Sequence, residues 1–97
     1  MYEIEFSSEE LDDLEAFRKF EQQKIVASIE AQLTYEPMME THNRFRMRPN
    51  DVAEWELRIE RYRVFYNVET TVQIVSIEVI GLKIGNQLYV RGKRRDL

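Results

Sequence analysis

The stretch W-E-L-R-I-E-R-Y-R-V-F-Y-N-V, residues 55–68, decides the fold, because two alternating runs in it predict an antiparallel hairpin. Apolar side chains at every second position give the hairpin one apolar face and one charged face. Between the runs, Glu60 and Arg61 are not the Asn-Gly type of pair that two-residue loops favour. If the loop is nonetheless two residues long, Ile59 pairs with Tyr62, and the register of the hairpin follows.

That register places two arginines directly opposite each other. Arg58 pairs with Arg63, and Glu56 pairs with Phe65, on the face away from the aromatic core. Like charges opposite each other cost stability, so such a pair indicates either a carboxylate between the guanidinium groups or a bound anion. Phosphate is the candidate anion, because a guanidinium group binds it through two parallel hydrogen bonds. The alternative is a solvated face whose charge is balanced by acidic neighbours, among them Glu78.

The composition predicts one folded domain, residues 1–97. The chain is 43% hydrophobic and 11% aromatic, and no apolar run is long enough to cross a bilayer. It has no cysteine and one histidine, His42, which excludes disulfides, thiolate chemistry and the usual structural zinc site. We therefore expect a cytoplasmic protein with no membrane partner, no metal and no cofactor.

The charge is distributed unevenly along the chain. Residues 1–40 contain 11 acids and 3 bases, whereas residues 41–97 contain 7 acids and 11 bases, so the halves carry −8 and +4. A polyanionic partner would be met by the second half, although the net charge of −4 weakens long-range attraction to nucleic acid.

The remaining pattern predicts two N-terminal helices, either a tight helical hairpin or one kinked rod, followed by strands, which is an α+β arrangement. Helices are expected at 8–20 and 22–34, with Ser7 and Glu10 in the Ser-x-x-Glu spacing of a capping box. Val75, Ile77 and Val79 are expected on the buried side of one strand. The predicted strands are 2–6, 55–59, 62–68, 71–80 and 88–90.

Two segments outside the predicted helices and strands are rich in basic residues. In the loop predicted for 38–51, Arg44, Arg46 and Arg48 alternate with Phe45 and Met47, a pattern suited to a nucleic-acid backbone. The alternative is a loop with solvated arginines. The basic run 91–95 is expected to be a solvated tail or an interaction segment.

The sequence resembles the RelE/ParE superfamily of bacterial type II toxin–antitoxin toxins over nearly its whole length. The resemblance rests on four segments. They are the stretch at 55–68, V-I-G-L-K (79–83), N-Q-L-Y-V-R-G-K (86–93) and the loop E-P-M-M-E-T-H-N-R-F-R-M-R-P-N (36–50). It implies a helical hairpin packed on a twisted, mainly antiparallel sheet of four to five strands. RelE-like members cut messenger RNA on the ribosome and are silenced by a cognate antitoxin.

The resemblance also implies a set of site residues. Arg58, Arg63, Lys83 and Tyr89 match the family's catalytic positions, while Glu56 replaces a basic residue of the family. The expected RNA-binding residues are Arg44, Arg46, Arg48 and Arg61. The implied activity is a metal-independent endoribonuclease, an mRNA interferase that inhibits translation with the ribosome and mRNA as partners.

Two other functions fit the same resemblance. One is a ParE-like protein that binds DNA gyrase and cuts nothing, and the other is an inert antitoxin-binding member. The set of Arg58, Arg63, Lys83 and Tyr89 favours the nuclease, because a pure binder needs no convergent basic cluster. Glu56 and the acidic first half favour the alternatives.

Overall fold

Two helices cover one face of a seven-stranded sheet in the computed structural model, which describes residues 1–97. The larger apolar cluster packs the helices on the sheet, whereas the cluster on the opposite face contains no helical residue. The elements are β1 Glu3–Phe6, α1 Ser8–Glu15, α2 Lys19–Leu33, β2 Arg44–Arg46, β3 Trp55–Ile59, β4 Tyr62–Glu69, β5 Ile74–Ile84, β6 Gln87–Val90 and β7 Lys93–Arg95. The α+β class is confirmed, with more strands than the four to five expected.

Strand β5 is the hub of the sheet, because three strands pair with it. Its neighbour on one side is β4, antiparallel. On the other side β1 pairs in parallel with residues 74–77, and β6 pairs antiparallel with residues 82–84. The strand order is β2-β3-β4-β5-β6-β7, and only the β1–β5 pair is parallel.

The central hairpin has the predicted register. Ile59 pairs with Tyr62, and Arg58 pairs with Arg63, around a two-residue loop. Glu60 adopts a left-handed backbone with φ of 53°. That conformation costs a residue with a side chain about 1 kcal/mol, so packing of the strands rather than local preference fixes this loop.

Strands β2 and β7 replace segments for which the sequence predicts a loop and a tail. β7 forms because Arg91 and Gly92 both have positive φ, 51° and 76°, as a tight two-residue hairpin turn requires. β2 forms because the loop reaches the free edge of β3, where Arg44 pairs with Leu57 and Arg46 with Trp55.

The helix break falls earlier than predicted. α1 ends at Glu15 and α2 begins at Lys19. The Glu21 carboxylate accepts a hydrogen bond from the backbone N–H of Arg18 (3.0 Å), which caps the second helix without glycine or proline. The capping contact predicted at the first helix is present, since Glu10 accepts a hydrogen bond from the Ser7 N–H (2.9 Å).

A β-bulge in β5 changes the faces that the alternation predicts. Pairing with β4 skips Glu78, while Ile77 and Val79 pair with adjacent residues of β4. Val75 and Ile77 join the helix-side core as predicted. Val79 is the exception, because the extra residue turns it to the opposite face, where it packs in the cluster of Phe65.

Candidate functional site

A shallow basin lies on the face of the sheet that carries no helix. It consists of two adjoining cavities, about 180 and 490 Å³ in volume, that share Met47, Glu56 and Leu97. The inner pocket is lined further by Arg63, Phe65, Lys83, Leu88 and Arg95, among others. The outer pocket is lined further by Phe45, Arg46, Arg48 and Arg58, among others. Because most of the charged side chains are cationic, the basin is suited to an anion.

The cations Arg63 and Lys83 of the inner pocket lie on the same face of the sheet, because side chains along a strand alternate between its two faces. Arg63 pairs with Gly81 across β4 and β5, and Lys83 lies two residues further along β5, on the same face. Gly81 leaves room for β6, since a Cβ there would lie 2.8 Å from the backbone oxygen of Tyr89 and 3.0 Å from Leu88. This close approach of backbone to backbone keeps the strands around the pocket in register.

Arg63 is held firmly by the end of the hairpin. Its Nη1 donates hydrogen bonds to the carbonyl oxygens of Glu60 (2.7 Å) and Tyr62 (2.9 Å), and its side chain is 14% exposed. Its Nε is buried without a hydrogen-bond partner. Burial, reinforced by the positive charge of Arg58 and opposed by Glu56, lowers the pKa of Arg63. The guanidinium group is therefore a cation held in place by two backbone carbonyl oxygens.

Glu56 lies between the two arginines of the hairpin. Its Oε2 accepts a hydrogen bond from Arg58 Nε (2.8 Å) and lies 3.5 Å from Arg63 Nε. The Arg58 guanidinium also stacks 4.2 Å from the centroid of the Phe45 ring. A carboxylate thus relieves the repulsion predicted for the arginine pair. Glu78 takes no part, because it accepts a hydrogen bond from Asn67 Nδ2 instead (3.1 Å).

Lys83 and Arg95 carry free charges into the inner pocket. Neither forms an ion pair, and both line the cavity beside Glu56 and Arg63. Lys83 pairs with Leu88, which pairs with Arg95, so the three side chains form a row across β5, β6 and β7. The inner pocket is therefore lined by three cations, Arg63, Lys83 and Arg95, and by two acidic side chains, Glu56 and Asp96.

No protein-family model and no curated protein sequence matches the chain. A chain of the toxin–antitoxin complex RelBE2 from Mycobacterium tuberculosis is similar in structure, with a TM-score of 0.69 and 18% identity over 84% of this chain and 98% of that chain. A chain of the archaeal RelE–RelB complex from Pyrococcus horikoshii OT3 gives a TM-score of 0.63 and 22% identity over 94% of this chain and 96% of that chain. The chain has the RelE fold. At these identities the likeness establishes the fold alone.

Within this RelE fold, three of the four predicted catalytic residues lie together. Arg58, Arg63 and Lys83 line the basin. Tyr89 does not, because it pairs with Leu82 and lies on the helix side of the sheet. Tyr89 and Lys83 lie on opposite faces, because residues 82 and 83 of one strand face opposite sides and so do their partners.

Two of the predicted RNA-binding arginines are held by other groups of the protein. Arg44 is buried, and its Nη1 donates to the carbonyl oxygen of Gln32 at the end of α2, so it does not reach the surface. Arg46 is exposed at the sheet edge, where its Nη2 donates to Glu54 (3.1 Å). Both alternate with Phe45, which faces the basin, so their Cβ atoms point to the other face. Arg44 therefore does not line the basin.

The other two predicted RNA-binding arginines are exposed. Arg48 lines the outer pocket and forms no ion pair. Arg61 lies in the loop between β3 and β4, away from both pockets, where its carbonyl oxygen accepts a hydrogen bond from the Lys83 N–H (2.8 Å). Arg48 thus extends the basin without an ion-pair partner, whereas Arg46, which also lines the outer pocket, is paired with Glu54.

Sequence reasoning missed Arg95 as a basin residue. The signal was the Arg91-Gly92 pair, since glycine in a two-residue loop between short runs indicates a hairpin. Phe45 and Glu56 were both singled out, but only the pairing of β2 with β3 shows that they share a face with Arg58.

Proposed function

We propose that this chain is the toxin of a toxin–antitoxin system and acts as a ribosome-dependent mRNA endoribonuclease. The convergence of Arg58, Arg63 and Lys83 on one open basin carries the proposal. The fold shared with chains of RelB-containing complexes supports it, and it makes a cognate antitoxin the expected protein partner. Ribosome and mRNA complete the set of proposed partners.

The proposed reaction is a transphosphorylation that needs no metal. The ribose 2′-oxygen attacks the adjacent phosphorus, the bond to the 5′-oxygen breaks, and a 2′,3′-cyclic phosphate and a 5′-hydroxyl result. Negative charge grows on the phosphoryl oxygens along this path. Arg63, fixed by two carbonyl oxygens, and Arg58 are positioned to stabilise that charge, which is often the largest single contribution to catalysis.

The two proton transfers are assigned to Glu56 and Lys83. A base must take the 2′-hydroxyl proton, and Glu56 is the carboxylate that β3 presents between the two arginines. An acid must protonate the leaving 5′-oxygen, and Lys83 is an ammonium group in the same pocket. Tyr89 has no role in this scheme, because it lies on the opposite face of the sheet.

One observation favours a second candidate function. Glu56 already neutralises both arginines, as it would in an inert module whose only role is to bind an antitoxin. The two functions differ in what Glu56→Gln does. If the chain is the nuclease, Glu56→Gln removes the base and mRNA cleavage stops. If it is the inert module, neither the wild type nor Glu56→Gln affects translation.

The proposal is tested by induced expression in bacteria with pulse labelling of new protein. The wild type is expected to stop protein synthesis, Arg63→Ala to restore it, and Lys19→Ala, which removes an exposed cation from the start of α2, to act like the wild type. Thermal unfolding of the purified variants confirms that each is folded. Filamentation with an SOS response would indicate gyrase instead, and no growth effect from a folded protein would indicate the inert module.

A further inference from the structure

Arg44 is a buried cation that has no carboxylate partner. It is 8% exposed, it forms no ion pair, and its Nε has no hydrogen-bond partner. Its Nη1 donates to the backbone oxygen of Gln32, one of the last four carbonyl groups of α2, which have no donor within the helix. These carbonyl groups form the negative end of the helix dipole, so the end of α2 takes the place of an acidic side chain.

Stability alone does not account for a cation at the position of Arg44. Moving a guanidinium group out of water costs free energy, and well-packed apolar side chains are often as stabilising as buried charged groups. A hydrogen bond, in contrast, is directional, because the donor must meet the acceptor within a narrow range of distance and angle. The presence of Arg44 is therefore better explained by what its hydrogen bond to α2 holds in place.

That hydrogen bond ties strand β2 to the helix layer. β2 is a three-residue strand at the edge of the sheet and pairs on one side only, with β3. Of its two side chains on the helix side, Arg46 is exposed and pairs with Glu54, so Arg44 is the one that reaches α2. Thr41 closes the turn before the strand, since its Oγ1 accepts hydrogen bonds from the N–H groups of Asn43 (3.1 Å) and Arg44 (3.2 Å). β2 is thus fixed at its first residue.

The side chain that follows Arg44 along β2 lies in the basin. Phe45 pairs with Glu56 of β3, and the Arg58 guanidinium stacks 4.2 Å from the centroid of the Phe45 ring. The Arg58 N–H also donates to the backbone oxygen of Asn43 (2.8 Å). The Arg58 side chain is 45% exposed, so the Phe45 ring and the Glu56 carboxylate are the groups that direct it. A shift of β2 therefore moves the ring away from Arg58.

We propose that Arg44 is a positioning residue for Arg58, which it aligns in the basin through β2 and the Phe45 ring. A cation on the helix side of the sheet thereby controls the direction of a cation on the other side. The effect of Arg44 on mRNA cleavage rests on the proposed function, whereas its effect on the direction of Arg58 is measurable in the protein alone.

The direction of Arg58 is read from the NMR resonance of its Nε–H group, which the ring current of Phe45 shifts and which Arg58→Lys assigns. Arg44→Met is expected to move this resonance most of the way to its position in Phe45→Leu, where the ring is absent. Arg44→Lys, which keeps a cation that can donate to the same carbonyl oxygen, is expected to keep the wild-type position. Arg94→Met is the matched control, because it removes an exposed arginine of β7 on the helix side of the sheet.

The effect on cleavage is measured with mRNA on purified ribosomes in a double-mutant cycle. Arg44→Met is expected to lower the cleavage rate about tenfold or more, because a small misplacement of a reacting group slows a reaction strongly. In an Arg58→Ala background the same substitution is expected to change the rate less than about twofold, since Arg44 acts through Arg58. Loosening of the fold would slow both backgrounds equally. Arg94→Met is expected to cut at the wild-type rate.

An unmoved Arg58 resonance in folded Arg44→Met, or an equal displacement in Arg44→Lys, would overturn the proposal. So would equal losses of cleavage in the wild-type and Arg58→Ala backgrounds. If thermal unfolding shows that Arg44→Met does not fold, Arg44→Gln, which also removes the charge, takes its place with the same expected results. Displacement of the Arg58 resonance in a protein whose wild type cuts no mRNA would support the positioning role and contradict the nuclease alone.

Discussion

Single residues of this protein are held by partners that are distant in sequence. Tyr62 illustrates this, because its hydroxyl donates to Glu21, 41 residues away, and thereby joins the start of β4 to the start of α2. The hydrogen bond to a carboxylate favours the neutral phenol and, with burial, raises the pKa of Tyr62 to about 12. The contact is therefore measurable through the titration of one side chain.

Replacing Glu21 by Gln is predicted to lower the pKa of Tyr62 from about 12 toward its ordinary value of 10.0. A raised folded-state pKa contributes stability that is fully present below the unfolded pKa and is lost as pH rises through the folded pKa. The wild type should therefore lose stability between pH 10 and about 12, over a wider range than the variant. NMR titration of the tyrosine ring carbons and unfolding in urea measure the two effects. An unchanged Tyr62 titration in Glu21→Gln would contradict the assignment.

Substitutions at two glycines distinguish the stability cost of backbone strain from the stability cost of steric crowding. Gly85 has φ of 60° with nothing within 4 Å of an added Cβ, so Gly85→Ala should cost about 1 kcal/mol of stability through backbone conformation alone. Gly81→Ala should cost more, about 2 to 3 kcal/mol, because the new methyl group meets the backbone of β6. Urea unfolding of the two variants compares them, and the opposite order of the two costs would refute this account.

At the scale of elements, α1 is tied to the sheet by a buried carboxylate. β1 pairs with β5 at residues 74–77 and β6 pairs at 82–84, which leaves the strand edge between them uncovered. Asp13 fills that interval, since its Oδ2 accepts a hydrogen bond from the Ile80 N–H (3.1 Å) and its Oδ1 pairs with Arg91 Nε (3.1 Å). Burial raises the pKa of Asp13, opposed by the Ile80 N–H and Arg91.

Asp13→Ala is predicted to destabilise the protein by about 2 to 3 kcal/mol, because it leaves the buried Ile80 N–H without an acceptor. Asp13→Asn, which keeps a carbonyl oxygen at that position, should cost less. Urea denaturation gives both values. Hydrogen exchange should show faster exchange of the Ile80 amide in the alanine variant alone, and equal protection in both variants would argue against this role.

Elements with a local signal could be predicted from the sequence, whereas those created by tertiary contacts could not. The hairpin at Ile59 and Tyr62 follows from alternation along the chain, and the Ser7–Glu10 cap from residue spacing. The bulge at Glu78 and the pairing of β2 depend on contacts with neighbouring strands. The local sequence pattern does not encode these contacts. The face on which Tyr89 lies depends on the register between β5 and β6, which resemblance to a family does not give.

For the molecule as a whole, the sheet separates two faces with different surface chemistry. The basin faces away from the helices, and an apolar groove lined by Phe17, Leu82 and Ile84 lies on their side. Neither helix has the length and hydrophobicity of a transmembrane span. The basic second half of the sequence supplies the cations of the basin, so the net charge of −4 understates the local attraction for anions.

The salt dependence of RNA affinity is predicted to come from the cations of the basin alone. With three phosphate contacts, from Arg58, Arg63 and Lys83, the logarithm of the affinity for a short single-stranded RNA should fall with the logarithm of salt with a slope of about −2. Arg63→Ala should reduce the slope by about 0.7, and Lys19→Ala should leave it unchanged. Fluorescence anisotropy at several salt concentrations measures it, and a slope that Arg63→Ala leaves intact would place the RNA elsewhere.

The central claim is that Arg63 and Glu56 act on the phosphodiester held in the basin. Its most direct test is primer extension on a reporter mRNA programmed into purified ribosomes, with the wild type, Arg63→Ala, Glu56→Gln and Lys19→Ala compared. We predict cleavage within the ribosome-bound codon by the wild type and Lys19→Ala, and a loss of about a hundredfold or more in each of the other two. Cleavage at the wild-type rate by folded Arg63→Ala and Glu56→Gln, or none by the wild type, would contradict the claim.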